Sequence, residues 1–222
     1  MITLHGISLS NYYNKVKIVL LEKNLPFTEV TQRTRSKDEA VLAATPLGKV
    51  PFVRIGEQSL CESQVIVDCL EAMHPSPPLV PAEPIAAAKV REIITFMELY
   101  IELVAREIYA VAFFGGKVSD EVKATVRTRL ARNVPAFKRL VKFAPYIAGP
   151  EFTIADAAAY AALPTAAQAS KAIYGEDLVA AGGIDWKAYL KLLGQRPSVQ
   201  RVNADRKRDL EAMTAAGAGA KV

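Results

Sequence analysis

Ile2-Thr3-Leu4-His5 alternates apolar and polar side chains at the two-residue period of a half-buried strand, and Gly6 punctuates it. After a loop at residues 7–11 the period becomes helical, with Tyr13, Val16, Val19 and Leu20 on one face and a stop near Asn24 and Pro26. Residues 27–30 are extended again, so the first thirty residues predict a β-α-β unit whose strands lie parallel. Residues 31–44 are polar and then weakly helical, without marked boundaries. Two short apolar runs, 50–55 and 59–61, flank Gly56-Glu57 as a hairpin. The second run passes through Glu62-Ser63 into a helix with Ile66, Cys69, Leu70 and Met73 on one face.

A proline cluster, His74-Pro75-Ser76-Pro77-Pro78 followed by Pro81 and Pro84, then interrupts the pattern. The element order before it, β-α-β-α-β-β-α, is a thioredoxin-like arrangement over residues 1–76, with a linker at 77–86. Everything beyond predicts an all-helical domain over 87–212, so the fold class is α/β plus all-α. Ile93, Phe96, Met97, Tyr100, Ile101, Val104 and Ile108 keep helical spacing as one long core helix ending near Gly115-Gly116. Ser119 can cap the next helix, which carries Val122, Val126, Leu130 and Phe137 and which Pro135 should kink or divide. Gly149-Pro150 ends that region. Thr153 to Asp156 has the pattern of a capping box ahead of an alanine-rich helix suited to a bundle centre. Trp186, Tyr189, Leu190 and Leu193 mark a later helix, Pro197 suits a first helical turn, and 213–222 is expected to be a disordered tail.

Composition narrows the function classes. With 222 residues, 51% hydrophobic and 23% charged, the chain has the make-up of an ordinary globular protein of one large or two small domains. The net charge of +5 is scattered, and its densest group, Arg196, Arg201, Arg206, Lys207 and Arg208, reads as a solvated helix face; no nucleic-acid partner is expected. Cys61 and Cys69 lie in no CxxC spacing, and His5 and His74 add too few ligands for a metal site. Reduced thiols fit a cytoplasmic protein. The N-terminal MITLHGIS lacks the charged and apolar regions of an export signal, and no run reaches the roughly 20 apolar residues of a membrane span. Neither export nor a membrane partner is expected.

Candidate chemistry gathers in TPLGKVPFVRIGEQSLCES, residues 45–63. Pro51 stands at the mouth of a strand without an N–H, which leaves the neighbouring backbone able to pair with something else. Glu62-Ser63 sets a carboxylate and a hydroxyl at a helix N-terminus, a seat for an anion, although a serine there also serves simply as a cap. A small charged ligand fits this stretch.

PLGKVP, CES and FTIAD in this order, between a thioredoxin-like half, a proline-rich linker and a helical half, resemble the cytosolic glutathione S-transferase family, in its serine-type, bacterial-like form. The resemblance spans nearly the whole chain. It implies a cis Pro51, with the Val50 backbone pairing with the cysteinyl unit of glutathione as an added strand. It implies Glu62 and Ser63 at the γ-glutamyl end and Lys49 near the glycyl carboxylate. In serine-type branches the catalytic serine lies six residues before the valine of an (R/K)-V pair, and Lys15-Val16 points to Ser10. Asn11 stands where many relatives carry proline and two tyrosines follow, so Tyr12 and Tyr13 remain alternative donors. A hydroxyl aimed at sulfur near a helix N-terminus favours the thiolate of a group whose ordinary pKa is about 8.5.

The resemblance further implies a site for a small hydrophobic electrophile formed by Leu9, Asn11 and Tyr12 with Tyr100, Arg106, Tyr109 and Phe113. Glutathione would be the co-substrate, no metal is required, and the chain would form a homodimer. The alternatives are a glutathione-dependent isomerase, whose usual Ser-Ser-Cys run is absent, and a non-catalytic relative that only binds.

Overall fold

The strand β1 (Ile2–Gly6) is the middle of the architecture that the first pattern predicted. It pairs in parallel with β2 (Phe27–Thr31), Ile2 opposite Phe27 and Gly6 opposite Thr31, and antiparallel with β3 (Phe52–Ile55), Leu4 opposite Val53. β4 (Gln58–Cys61) closes the hairpin on β3, giving the order β2-β1-β3-β4 among the described residues, which are 1–215 of this computed structural model. The hairpin turn needs a positive φ, and Gly56 supplies it at +60°.

One face of the sheet carries α1 (Asn11–Glu22) and α3 (Ser63–Met73). α1 buries Val16, Ile18, Val19 and Leu20, and α3 buries Ile66, Val67 and Leu70. Cys69 and Met73 were expected on that buried face, but Cys69 is half-buried and Met73 is 49% exposed, because the face is turned one position toward Val67. Phe52, on the side opposite Val53, packs against Val41 of α2 (Glu39–Leu42) and Ala44.

The described chain divides into two compact units. The first comprises Met1–Val80 and Arg196–Leu210, so most of the last helix, α11 (Pro197–Ala215), belongs with the sheet and not with the helical part to which 87–212 were assigned from sequence. The reason is polar. Arg196 holds Glu22 through Nε at 2.8 Å and Nη2 at 2.5 Å, Ser198 donates to the same carboxylate, and Lys17 of α1 meets Asp205 at 2.7 Å. Of the expected tail at 213–222, α11 continues through Ala215, and the remainder lies outside the described residues.

In the second unit, the expected long helix is segmented into α4 (Pro84–Met97), a π-helical turn (Glu98–Glu102), α5 (Leu103–Arg106) and α6 (Tyr109–Phe113). The wide turn adds to the helical repeat and rotates the side chains that follow. Tyr100 is 46% exposed, while the Glu102 carboxylate is fully buried and held by Arg106. Ile93, Met97, Ile101, Val104 and Ile108 are buried as their spacing requires. α7 (Asp120–Lys138), capped by Ser119, runs unbroken past Pro135: the proline lies so near the C-terminal end that its missing N–H removes only a last-turn bond.

α8 (Ile154–Tyr174) is the buried centre of this unit, its alanines packed on nearly every side, and the capping box at its start is present. Thr153 N donates to Asp156 Oδ2 at 2.6 Å and Ile147 N to Oδ1 at 2.9 Å, while the hydroxyl of Tyr189, on α10 (Trp186–Leu193), donates to the same carboxylate. The short α9 (Leu178–Ala181) lies between them in sequence. Among the described residues no helix is long and apolar enough to cross a membrane.

Two stability predictions follow from these carboxylates. Burial opposes ionisation of Asp205, but Lys17 and Arg201 outweigh it and hold its pKa at about 2. The folded value lies below the unfolded one of about 3.9, so its contribution is complete above about pH 4 and is lost as pH falls toward about 2. Asp205→Ala should therefore lower unfolding free energy by about 3 kcal/mol near neutrality, and denaturant melts should show the gap from wild type closing on acidification. Asp156→Ala orphans several buried donors at once and should cost about 3 kcal/mol, against about 1 kcal/mol for Thr153→Ala, in the same melts.

Candidate functional site

The register of the sheet assembles the site. His5 is opposite Phe52, and Phe52 is opposite Cys61. The end of β1, the start of β3 and the end of β4 therefore meet at one end of the sheet. Three chain segments issue from that end: the loop leading to Ser10 and α1, the Lys49-Val50-Pro51 approach to β3, and Glu62-Ser63 opening α3. Residues some fifty positions apart in sequence are brought together by pairing alone.

Ser10 is the N-cap of α1, with φ −76° and ψ 120°, and its Oγ accepts from Tyr13 N at 3.4 Å. Accepting that bond uses a lone pair and leaves the serine's own O–H to donate elsewhere. The two tyrosines that follow are placed differently. Tyr13 is buried and its hydroxyl donates to Glu29; burial first, and then that carboxylate, push its pKa up from the ordinary value, so it is a neutral donor already engaged. Tyr12 is half-buried on the outer part of the same turn, as are Leu9 and Asn11.

Val50-Pro51 is a cis peptide, as expected, and Val50 lies just outside the β3 ladder. Lys49 is exposed. Glu62 occupies the N-cap position of α3 with φ +66° and makes no side-chain capping bond, so its exposed carboxylate is not consumed by the helix. Ser63 is buried in the first turn, and its hydroxyl receives Lys15 Nζ at 3.5 Å. Lys15 also donates to Gln64 Oε1 at 2.7 Å, tying α1 to the start of α3. The unpaired N–H groups of that first turn, a buried hydroxyl and a nearby ammonium make an anion seat, and the Glu62 carboxylate beside it suits an ammonium: together they match a zwitterionic amino-acid end.

Within the helical unit, Arg106, Tyr109 and Phe113 form one cluster. The guanidinium lies 5.7 Å from the Tyr109 ring centroid, and the Tyr109 and Phe113 rings are 5.4 Å apart. The Tyr109 hydroxyl is buried without a hydrogen-bond partner among the described residues, and burial pushes its pKa well up. Tyr100 is not part of this group: it is exposed, and its ring sits 4.8 Å from Phe96. Among the described residues no three His, Cys, Asp or Glu side chains are grouped to hold a metal ion.

Sequence reasoning missed Lys15 and Gln64 as supports of Ser63, and Ser8 and Asp209, whose side chains meet at 2.6 Å across 201 positions. The (R/K)-V pair was a signal for Lys15, but it was used there only to count back to Ser10. Nothing local marks the Ser8–Asp209 bond.

Comparison with known proteins agrees with this arrangement. Residues 4–78 match the family model for the glutathione S-transferase N-terminal domain. A glutathione S-transferase of Pseudomonas putida is 40% identical over 215 residues, 96% of each chain. A solved glutathione S-transferase of Methylobacterium radiotolerans, in complex with glutathione sulfonate, superposes with a TM-score of 0.73 at 26% identity over 90% of this chain and 93% of that one. The apo structure of glutathione S-transferase III gives a TM-score of 0.73 at 27% identity, covering 91% and 95%. The chain belongs to the glutathione S-transferase family.

Proposed function

We propose that this chain is an active glutathione transferase that generates the glutathione thiolate and directs it at small hydrophobic electrophiles. The observation that carries the reading is that the segments bearing Ser10, Val50-Pro51 and Glu62-Ser63 all issue from one end of the sheet. Glutathione lies at that end and pairs with the Val50 backbone, which is outside the β3 ladder. The γ-glutamyl ammonium meets Glu62, its carboxylate meets Ser63 and the first-turn N–H groups of α3, and Lys49 balances the glycyl carboxylate.

The Ser10 hydroxyl, held by its own capping bond, donates to the sulfur. A hydrogen bond to the charged form and the positive end of α1 lower the thiol pKa, and each unit gained is worth about 1.36 kcal/mol. The thiol proton is released to solvent, the thiolate attacks the electrophilic carbon, a carbon–sulfur bond forms, and the leaving group departs with its electron pair. Leu9, Asn11 and Tyr12, beside Ser10, are the residues of this unit that meet the electrophile. The protein acts as a cytoplasmic homodimer.

Turnover of a generic aryl halide tests the assignment of roles. Ser10→Ala should lose about 10- to 100-fold in kcat/KM at neutral pH, the consequence of a thiol pKa raised by about one to two units. Ser63→Ala should raise the KM for glutathione about tenfold with kcat within a factor of two. An unchanged rate in Ser10→Ala removes that residue from the mechanism, and a larger loss in Tyr12→Phe transfers the donor role to Tyr12. Light scattering at micromolar concentration should give twice the chain mass; the mass of one chain would refute the dimer.

A further inference from the structure

The loop that delivers Ser10 is held mainly by its own neighbours. Ser10 N donates to Ile7 O at 3.0 Å, Asn14 N to Ser10 O at 3.1 Å, and Asn14 Nδ2 to Ser8 O at 2.7 Å. At the strand end, Gly6 allows the Tyr13 ring to lie directly on the backbone, since a Cβ there would come within 2.4 Å of it. One bond comes from far away: Ser8 Oγ donates to Asp209 Oδ2 at 2.6 Å, on the last helix of the chain. Ser8 is buried, so loss of that acceptor leaves its hydroxyl without the strongest partner it has.

We propose that Asp209, through its bond to Ser8, is a positioning residue for the thiol-activating loop, so that α11 sets how squarely Ser10 meets the glutathione sulfur. The proposal rests on the reading of Ser10 as the thiol's donor. The two α11 carboxylates within the first unit that bond α1 and its leading loop divide the work. Asp205 is bound to Lys17, Arg201 and Arg208 and fastens the helix to α1, whereas Asp209 reaches the loop itself. The charged and titratable groups around the pair are Tyr13 and Lys17 from α1, Glu29 from β2, and Asp205 and Arg208 from α11. Together with Gly6, Ile7 and Ser8 they border a recess of about 210 Å³, which is the room into which the loop relaxes once the bond is cut. A displacement of a few tenths of an ångström at Ser8 is passed through Leu9 to Ser10, whose donor geometry decides the stability of the thiolate.

The test compares wild type, Ser8→Ala, Asp209→Ala and the double variant, with Ser8→Thr and Asp209→Asn as conservative partners. The readouts are ultraviolet titration of the glutathione thiolate in the binary complex and the separation of kcat from the KM for glutathione. Each alanine variant should raise the thiolate pKa by about 0.5 to 1 unit and lower kcat about three- to tenfold at neutral pH, with KM within twofold. The double variant should be no worse than the more affected single one, and Ser8→Thr should retain most of the wild-type value. If an alanine variant fails to fold, as read by circular dichroism, the comparison of Ser8→Thr with Asp209→Asn decides in its place: the threonine should titrate as wild type and the asparagine above it. Thiolate titrations that coincide with wild type, or losses that simply add in the double variant, overturn the role of Asp209 while leaving the transferase reading intact. A wild-type protein that binds glutathione without lowering its thiol pKa overturns both.

Discussion

The antiparallel pairing of β3 with β1 and β4 is the constraint on which the rest depends. With His5, Phe52 and Cys61 in one row across three strands, the chain has no freedom over which loops share an end of the sheet. A shift of register by one residue would turn Leu4 and Val53 out of the core and at the same time separate the Ser10 loop from Glu62-Ser63. Burial of Leu4, Phe52 and Val53, all essentially inaccessible, is therefore also what holds the binding groups in place. Fold stability and site geometry are the same property here.

α1 adds a second layer of constraint through three lysines that are almost wholly buried. Lys15 reaches Ser63 and Gln64, Lys17 reaches Glu29 and Asp205, and Lys23 reaches Glu71 at 2.6 Å and the carbonyl of Pro77 at 2.7 Å. A buried ammonium is tolerated only with such partners, and the partners are spread over both ends of α3, the strand β2, the last helix and the linker. Losing one partner leaves a charge in a place without water, so these ties specify position more sharply than apolar packing would. Ser10, as the cap of this helix, inherits that fixity.

What could be read from the sequence is what depends on neighbours along the chain. The hairpin around Gly56-Glu57, the Ser119 cap, the Thr153–Asp156 box and the start of α3 at Glu62-Ser63 are decided within a few residues, and all are where the pattern put them. The π-helical turn at Glu98–Glu102 was hidden because the apolar spacing on either side suits an unbroken helix; only the buried Glu102 carboxylate and the outward Tyr100 betray the extra residue. The attachment of α11 to the sheet was hidden for a different reason. Arg196 was read with its neighbours as a solvated face, whereas it pairs with Glu22, and Ser198, Asp205 and Asp209 of α11 likewise act on partners nearly two hundred positions away. Around the candidate site, the cis Pro51 and the start of α3 were legible, and the ties of Lys15 to Ser63 and Gln64 were not.

The distribution of backbone strain bears on how the site divides its tasks. Glu62 holds φ at +66°, a conformation that costs a non-glycine residue of the order of 1 kcal/mol or more, and it does so while its carboxylate caps nothing. The helix still begins there, with Ile66 N bonded to Glu62 O at 2.9 Å, so the strain does not end an element and leaves the side chain clear of the cap. Ser10 is in an ordinary extended conformation and does structural duty as a cap. On the proposed reading, the unusual geometry presents the carboxylate that would hold one end of glutathione, whereas the proposed thiol donor sits on a commonplace cap whose precision is borrowed from its surroundings.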